Sequence, residues 1–122
     1  MQQLELFQQD HLGNDWVVLL APAVTAPQPG FVVAALGITM TATAIQTDNG
    51  RPEPLDHVEF EVRTAPNGGG ALTKALSTGT GLLSGLLAAL SLPTGATLYV
   101  RARNVGVNLG AGPWSADVQI TT

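Results

Sequence analysis

The chain carries two histidines, nine carboxylates and five bases but no cysteine, so a metal or acid/base site would have to be built from imidazole and carboxylate. His57 is where such groups crowd: Asp56 precedes it, and Asp48 and Glu53 lie across the turn before it. An imidazole among carboxylates suits a metal ligand set or a general base. A proline-rich turn feeding a strand more often carries Asp and His as solvated polar residues, and that is the reading preferred for His57. His11 sits among glutamines near the N-terminus and is less informative. Glu59 and Glu61 share the outer face of an alternating segment, where two carboxylates are a solvated surface more often than a catalytic dyad. Arg101 and Arg103 alternate in the same way, so the expected role of these four residues is cross-strand pairing. Trp114, after Pro113, is expected to pack in the core or at its rim, where truncation to alanine would cost roughly 3–5 kcal/mol. An exposed ring there would instead be a stacking platform. No Gly-x-Ser-x-Gly, Walker A, HExxH or EF-hand pattern occurs, and Gly68–Gly70 lack the strand-to-helix setting of a phosphate cradle. No nucleophile, base and orienting group can be assembled. The expectation is therefore a protein that is not an enzyme and that takes no cofactor and no metal.

The segments that hold these residues read as short strands between turns. Gly and Pro together make 22 of the 122 residues, and helical periodicity is scarce. Ile38, Met40, Ala42 and Ala44 alternate with threonines, as do Val58, Phe60 and Val62 with Glu59, Glu61 and Arg63. Between these two stretches lies the turn Asp48-Asn49-Gly50-Arg51-Pro52-Glu53-Pro54. A loose region from Pro66 to Gly81 leaves room for an edge strand near Leu72–Leu76. Residues 82–92 fit a helix face through Leu82, Leu83, Leu86, Leu87 and Leu90, or a strand face through Leu86, Ala88, Leu90 and Leu92; the strand is preferred. Leu98, Val100 and Ala102 form another alternating stretch. After a glycine-studded loop at 104–112, a last strand runs through Trp114, Ala116, Val118 and Ile120.

Charge excludes further classes. Charged residues are only 11% of the chain and the net charge is −4, with the bases scattered, which is not the clustered Lys/Arg surface that nucleic acid requires. No apolar run approaches the length of a membrane span. A 45% hydrophobic content with so few charges points to a surface partly covered by a partner.

The stretch from Leu92 to Asn104 (LPTGATLYVRARN), followed by Gly110-Ala111-Gly112-Pro113-Trp114-Ser115 and the closing Thr121-Thr122, resembles the end of a fibronectin type III domain. In that family a leucine and a Pro-Gly-Thr-like turn precede the sixth strand, Arg and Asn follow within it, and Gly-x-Gly-Pro-Trp-Ser opens the last strand. The resemblance spans roughly residues 27–122 and is specific only over the last thirty. It implies an all-β, immunoglobulin-like sandwich of about seven strands at 31–122, with residues 1–30 as an N-terminal arm or extra strand. Two departures stand out. The family's core tryptophan falls near Ala42, so volume must come from residues 82–92 or the N-terminal segment, and the tyrosine-corner position is Leu98, with Tyr99 one place on.

Leu4, Leu6 and Phe7, then Trp16 to Ala21, make the N-terminal segment too apolar for a solvated tail. Leu4, Leu6, Phe7, Trp16 and Val18 are the candidate interface residues. An acidic leading segment without a basic flank does not resemble a signal peptide. A lone domain of this kind with an apolar arm is most similar in organisation to small virion proteins of tailed bacteriophages. The expectation is a capsid decoration, tail or head-to-tail protein, assembled in the host cytoplasm. Its partners would be further copies of itself and other virion proteins such as the major capsid or tail protein, and its loops would face solvent or host glycans. The alternative is a carbohydrate-binding or spacer module of a secreted bacterial protein.

Overall fold

The computed structural model describes residues 18–33, 36–88 and 92–122, and these form an all-β sandwich of nine strands in two sheets. One sheet has the order β1-β3-β6, from Val24–Ala26, Ile38–Ala42 and Ser84–Leu87. The other has the order β2-β9-β7-β4-β5, from Phe31–Val32, Val118–Thr121, Thr97–Gly106, Leu55–Arg63 and Leu72–Ser77; β8 (Gly110–Ala111) adds to β7. The first strand divides between the sheets. β1 pairs with β3, and after Pro27 and Pro29, which cannot donate to a ladder, β2 pairs parallel with β9. β1 lies within residues 1–30, set apart above as an arm or extra strand, and it is a strand of the sandwich.

The alternating segments behave as their period demands. In β3, Ile38, Met40 and Ala42 turn inward, whereas Ala44, past its end, is exposed. In β4 and β7 the inward residues are Val58, Phe60 and Val62 against Leu98, Val100 and Ala102, with Phe60 opposite Ala102. This large-against-small pairing lets the longest ladder of the molecule fill the space between the sheets without voids. Asn104, also inward, is fully buried, and neither its Oδ1 nor its Nδ2 has a hydrogen-bond partner among the described residues.

Two expectations need correction. Within 82–92, Ser84–Leu87 form a strand, β6, but with the other face inward: Leu87 is buried and Leu86 is 64% exposed. Ala88 is exposed, Leu92 is buried beyond the strand, and Leu90 lies outside the described residues. A run of leucines has no polar alternation to choose its face, so the pairing Ile38 with Leu87 chooses it. The volume absent at Ala42 is made up in part from this stretch, since Leu87 and Leu92 join the core and Leu83 packs against it.

The last strand also differs from its expected form. The regular part is only Val118–Thr121. Ala111 lies opposite Val105 and Val118 opposite Val100, so the outer chain takes seven steps where β7 takes five. The two extra residues fall within 112–117, between β8 and β9, one before Ser115 and one after it, and such a bulged segment re-aims the side chains it carries, Trp114 among them. Likewise the expected loop at 104–112 begins within β7, which continues to Gly106; only residues 107–109 form the turn.

Candidate interaction surface

On the outer face of β4 and β7 the register sets Glu59 opposite Arg103 and Glu61 opposite Arg101. Arg103 Nε donates to Glu59 Oε1 at 2.7 Å, Arg101 Nε donates to Glu61, and Arg63 Nε donates to Glu61 Oε2 at 2.9 Å. The cross-strand pairing read from the sequence is present, but the face is less solvated than expected, with Glu61 only 7% exposed. The cover is Trp114, whose ring centroid lies 4.4 Å from the Arg101 guanidinium carbon and 4.5 Å from that of Arg103. Ser115 aims the indole. Its N–H donates to Ala102 O at 2.7 Å and its Oγ accepts from Ala102 N at 3.0 Å, which clamps the bulge onto β7. Trp114 is thus half-buried at the rim, with its ring stacked on two cations.

His57 extends the same row: its Nδ1 bonds Asp56 Oδ2 at 2.7 Å and its Nε2 bonds Glu59 Oε2 at 3.3 Å. The Asp56 hydrogen bond, against some desolvation and with help from Glu59, holds the imidazole above the ordinary histidine value. Burial pushes the Glu59 and Glu61 carboxyls up. Hydrogen bonds and charge, from Arg103 and His57 for Glu59 and from Arg63 and Arg101 for Glu61, outweigh it and hold both below the usual carboxylate range. Because the folded value of His57 is raised, its stabilising pairing is fully present below about pH 6.5 and is lost as pH rises through the folded value. The thermal midpoint is expected to fall between about pH 6 and pH 8 in the native chain and to change less in His57→Gln. A native midpoint flat across that range would contradict the pairing. The carboxylates act in the opposite window, contributing above their ordinary value near 4.5 and losing that contribution as pH falls through their lowered folded values.

The residues expected around His57 do not converge on it. Asp48 Oδ1 accepts from Val18 N at 3.2 Å, and Asp48 N donates to Val18 O at 2.9 Å. Glu53 turns the other way. Its Oε2 accepts from Asn108 N at 2.8 Å and Leu109 N at 3.0 Å, and its Oε1 from Asn108 Nδ2 at 3.2 Å. Burial raises the Glu53 carboxyl, yet these hydrogen bonds together hold it below its ordinary value. Gly106 is required beneath it, since a Cβ there would overlap the Glu53 carboxylate. Among the described residues no group of three His, Cys, Asp or Glu is placed to hold a metal.

These bonds gather three segments at one pole of the sandwich: residues 18–20, 45–54 and 107–113. Leu19 bridges to Thr47, Leu20 N donates to Gln46 O at 3.0 Å, and Val107 N donates to Pro54 O at 3.0 Å. Leu19 is 4% exposed and seals the end of the core against Gly112, where a Cβ would come within 2.9 Å of its own. With Leu19 inward, its neighbours Val18 and Leu20 point out, and Val107 and Leu109 stand exposed on the facing turn. Val18, Leu109 and Pro113 line an open hollow of about 250 Å³, and Ile45, Pro52 and Pro54 line a larger one of about 730 Å³. Of the interface residues read from the sequence, Val18 is at this pole; Leu4, Leu6, Phe7 and Trp16 lie outside the described residues. Val107 and Leu109 lie in the 104–112 loop expected to face solvent but were not singled out as residues. The loop at 64–71 belongs to the opposite end, where Asn67 N donates to Asp117 Oδ2 at 2.7 Å.

The fold defined by these sheets is an immunoglobulin-like β-sandwich. No protein-family model and no curated protein matches the chain. Several solved structures share its fold, two of them as follows. A myokine structure superposes with a TM-score of 0.57 at 16% identity, over 84% of this chain and 95% of its own. The α-L-rhamnosidase of Streptomyces avermitilis, complexed with L-rhamnose, superposes with a TM-score of 0.54 at 16% identity, over 88% of this chain. This chain spans about one-tenth of the rhamnosidase's length, 10% of that chain. At such identity the likeness is one of fold.

Proposed function

We propose that the chain is a non-catalytic structural and interaction protein of the fibronectin type III kind. In this reading it is a multicopy virion component of a tailed bacteriophage: a capsid decoration, tail or head-to-tail protein that docks on other virion proteins through the pole at 18–20, 45–54 and 107–113. The observation that carries the docking reading is the division of labour between side chains. His57, Glu59, Glu61 and Arg101 and Arg103 are spent on one another, and Asp48 and Glu53 on backbone. Four of the ten exposed large apolar side chains among the described residues, Val18, Leu20, Val107 and Leu109, gather at this pole; the others, Leu36 and Val32 among them, lie elsewhere. Apolar groups on a frame held by internal hydrogen bonds lose little entropy on docking. The fibronectin type III reading is supported by the resemblance carried in the Leu92–Asn104 and Gly110–Ser115 stretches; the virion reading rests on organisation.

Deleting residues 1–14 tests the role of Leu4, Leu6 and Phe7. Particle association is expected to be lost while the thermal midpoint hardly moves, as for an arm that docks on a neighbour. Persisting association with a collapse of stability would place the arm in the chain's own core. Binding to host polysaccharide in place of particles would favour the accessory-module alternative.

A further inference from the structure

We propose that the outer face of the β1-β3-β6 sheet is a self-association surface, on which a second copy of this chain packs face to face about a two-fold axis. This does not depend on the docking pole. The three strands come from residues 18–47 and 75–100, and neither stretch contains a single Asp, Glu, Lys, Arg or His. The opposite sheet carries the charged row of β4 and β7. A solvated sheet normally sets charges on its exposed face and its edge strands, and here both lack them. The face presents Thr25, Thr39, Thr41, Ser84 and Leu86, with Leu86 opposite Thr39 and 64% exposed. One of its hydroxyls is engaged within the sheet, Thr25 Oγ1 donating to Thr41 O at 3.2 Å, and beside the face Thr43 Oγ1 accepts from Ala23 N at 3.0 Å.

Charge selects the occupant. A charged partner surface would lose its hydration against groups that offer no countercharge. A second copy brings the same uncharged face, and an isologous pairing meets itself with every contact made twice. It also suits the net charge of −4 on each chain. Face-to-face packing holds the two charged sheets about 30 Å apart, three sheet spacings, well beyond the Debye length of about 8 Å at physiological salt. The five residues of β3 across three strands give a footprint of roughly 17 by 14 Å, below the ~800 Å² per partner of a standard interface. The dimer is accordingly weak and reversible.

Sedimentation velocity on the full chain, from about 10 μM to 1 mM at low and high salt, tests this. The expected result is a monomer–dimer equilibrium with a dissociation constant on the order of 0.1 mM, tightening as salt screens the repulsion between like-charged chains. Leu86→Lys and Thr39→Lys, both at exposed positions, should weaken it at least about tenfold with unchanged thermal midpoints, since each sets like charges together at the two-fold. Leu109→Lys, at the pole, should leave it unaltered. A monomer at the highest concentration, a dimer loosened by salt, or one indifferent to Leu86→Lys would overturn the proposal; loss through Leu109→Lys alone would move the contact to the pole.

Discussion

Replacing Phe60 by alanine is expected to remove about 3–5 kcal/mol of folding stability, the largest effect of any single truncation in this core. Phe60 is the largest fully buried side chain and is 1% exposed. It lies between Leu76 on β5 and Ala102 on β7, in the middle of the longest strand pairing. Neither neighbour is able to close the cavity, because both are held by backbone ladders, so the transfer and cavity costs add. A domain of this size has a total stability of about 5–15 kcal/mol, so the variant would keep only part of it. Urea unfolding should show a lower midpoint with an unchanged slope. A loss below about 1 kcal/mol would mean that the ring is not in the core.

Trp114→Ala is expected to cost about 2–3.5 kcal/mol, by a different route. Half-burial of the ring contributes about 1–1.5 kcal/mol, and two guanidinium contacts contribute roughly 0.5–1 kcal/mol each. Trp114→Phe should recover the burial but only part of the cation–π attraction, and so fall between the native chain and the alanine variant. This is lower than the cost expected for a buried tryptophan, because the bulge lifts the side chain out of the core onto the arginines. A change within error for Trp114→Ala would reopen the question of an exposed platform.

The contrast between these residues shows what the amino-acid pattern carries. Phe60 is inward because Val58, Phe60 and Val62 alternate with charged residues, and a period of two assigns the faces without reference to any other strand. The same alternation in Leu98 to Arg103 made the Glu–Arg pairing readable, since paired outer faces of adjacent strands must meet. Where alternation fails, reading fails. The leucines of 82–92 support either face, and only pairing with β3 distinguishes Leu87 from Leu86. Trp114 was assigned to a regular strand because a two-residue bulge has no mark beyond Gly112-Pro113. The pole was hidden more deeply. Glu53 reaches Asn108 and Leu109 across 55 and 56 residues, and Asp48 reaches Val18 across 30. Asp48 and Glu53 bind mainly backbone amides, which carry no side-chain signature, so their role looks like solvation.

The claim that the chain works by docking through its pole is tested most directly by particle association. Under the proposed virion role, the native chain and the variants Val18→Lys and Leu109→Lys are each supplied to a lysate of the tailed phage proposed as its source, and the particles are sedimented. The native chain is expected to co-sediment in many copies per particle. Both variants, folded and with native thermal midpoints, are expected to stay in the supernatant, because a lysine in a desolvated apolar contact costs several kcal/mol, about a hundredfold or more in affinity. Native chain absent from the particles, or variants that co-sediment as the native chain does, would contradict the account.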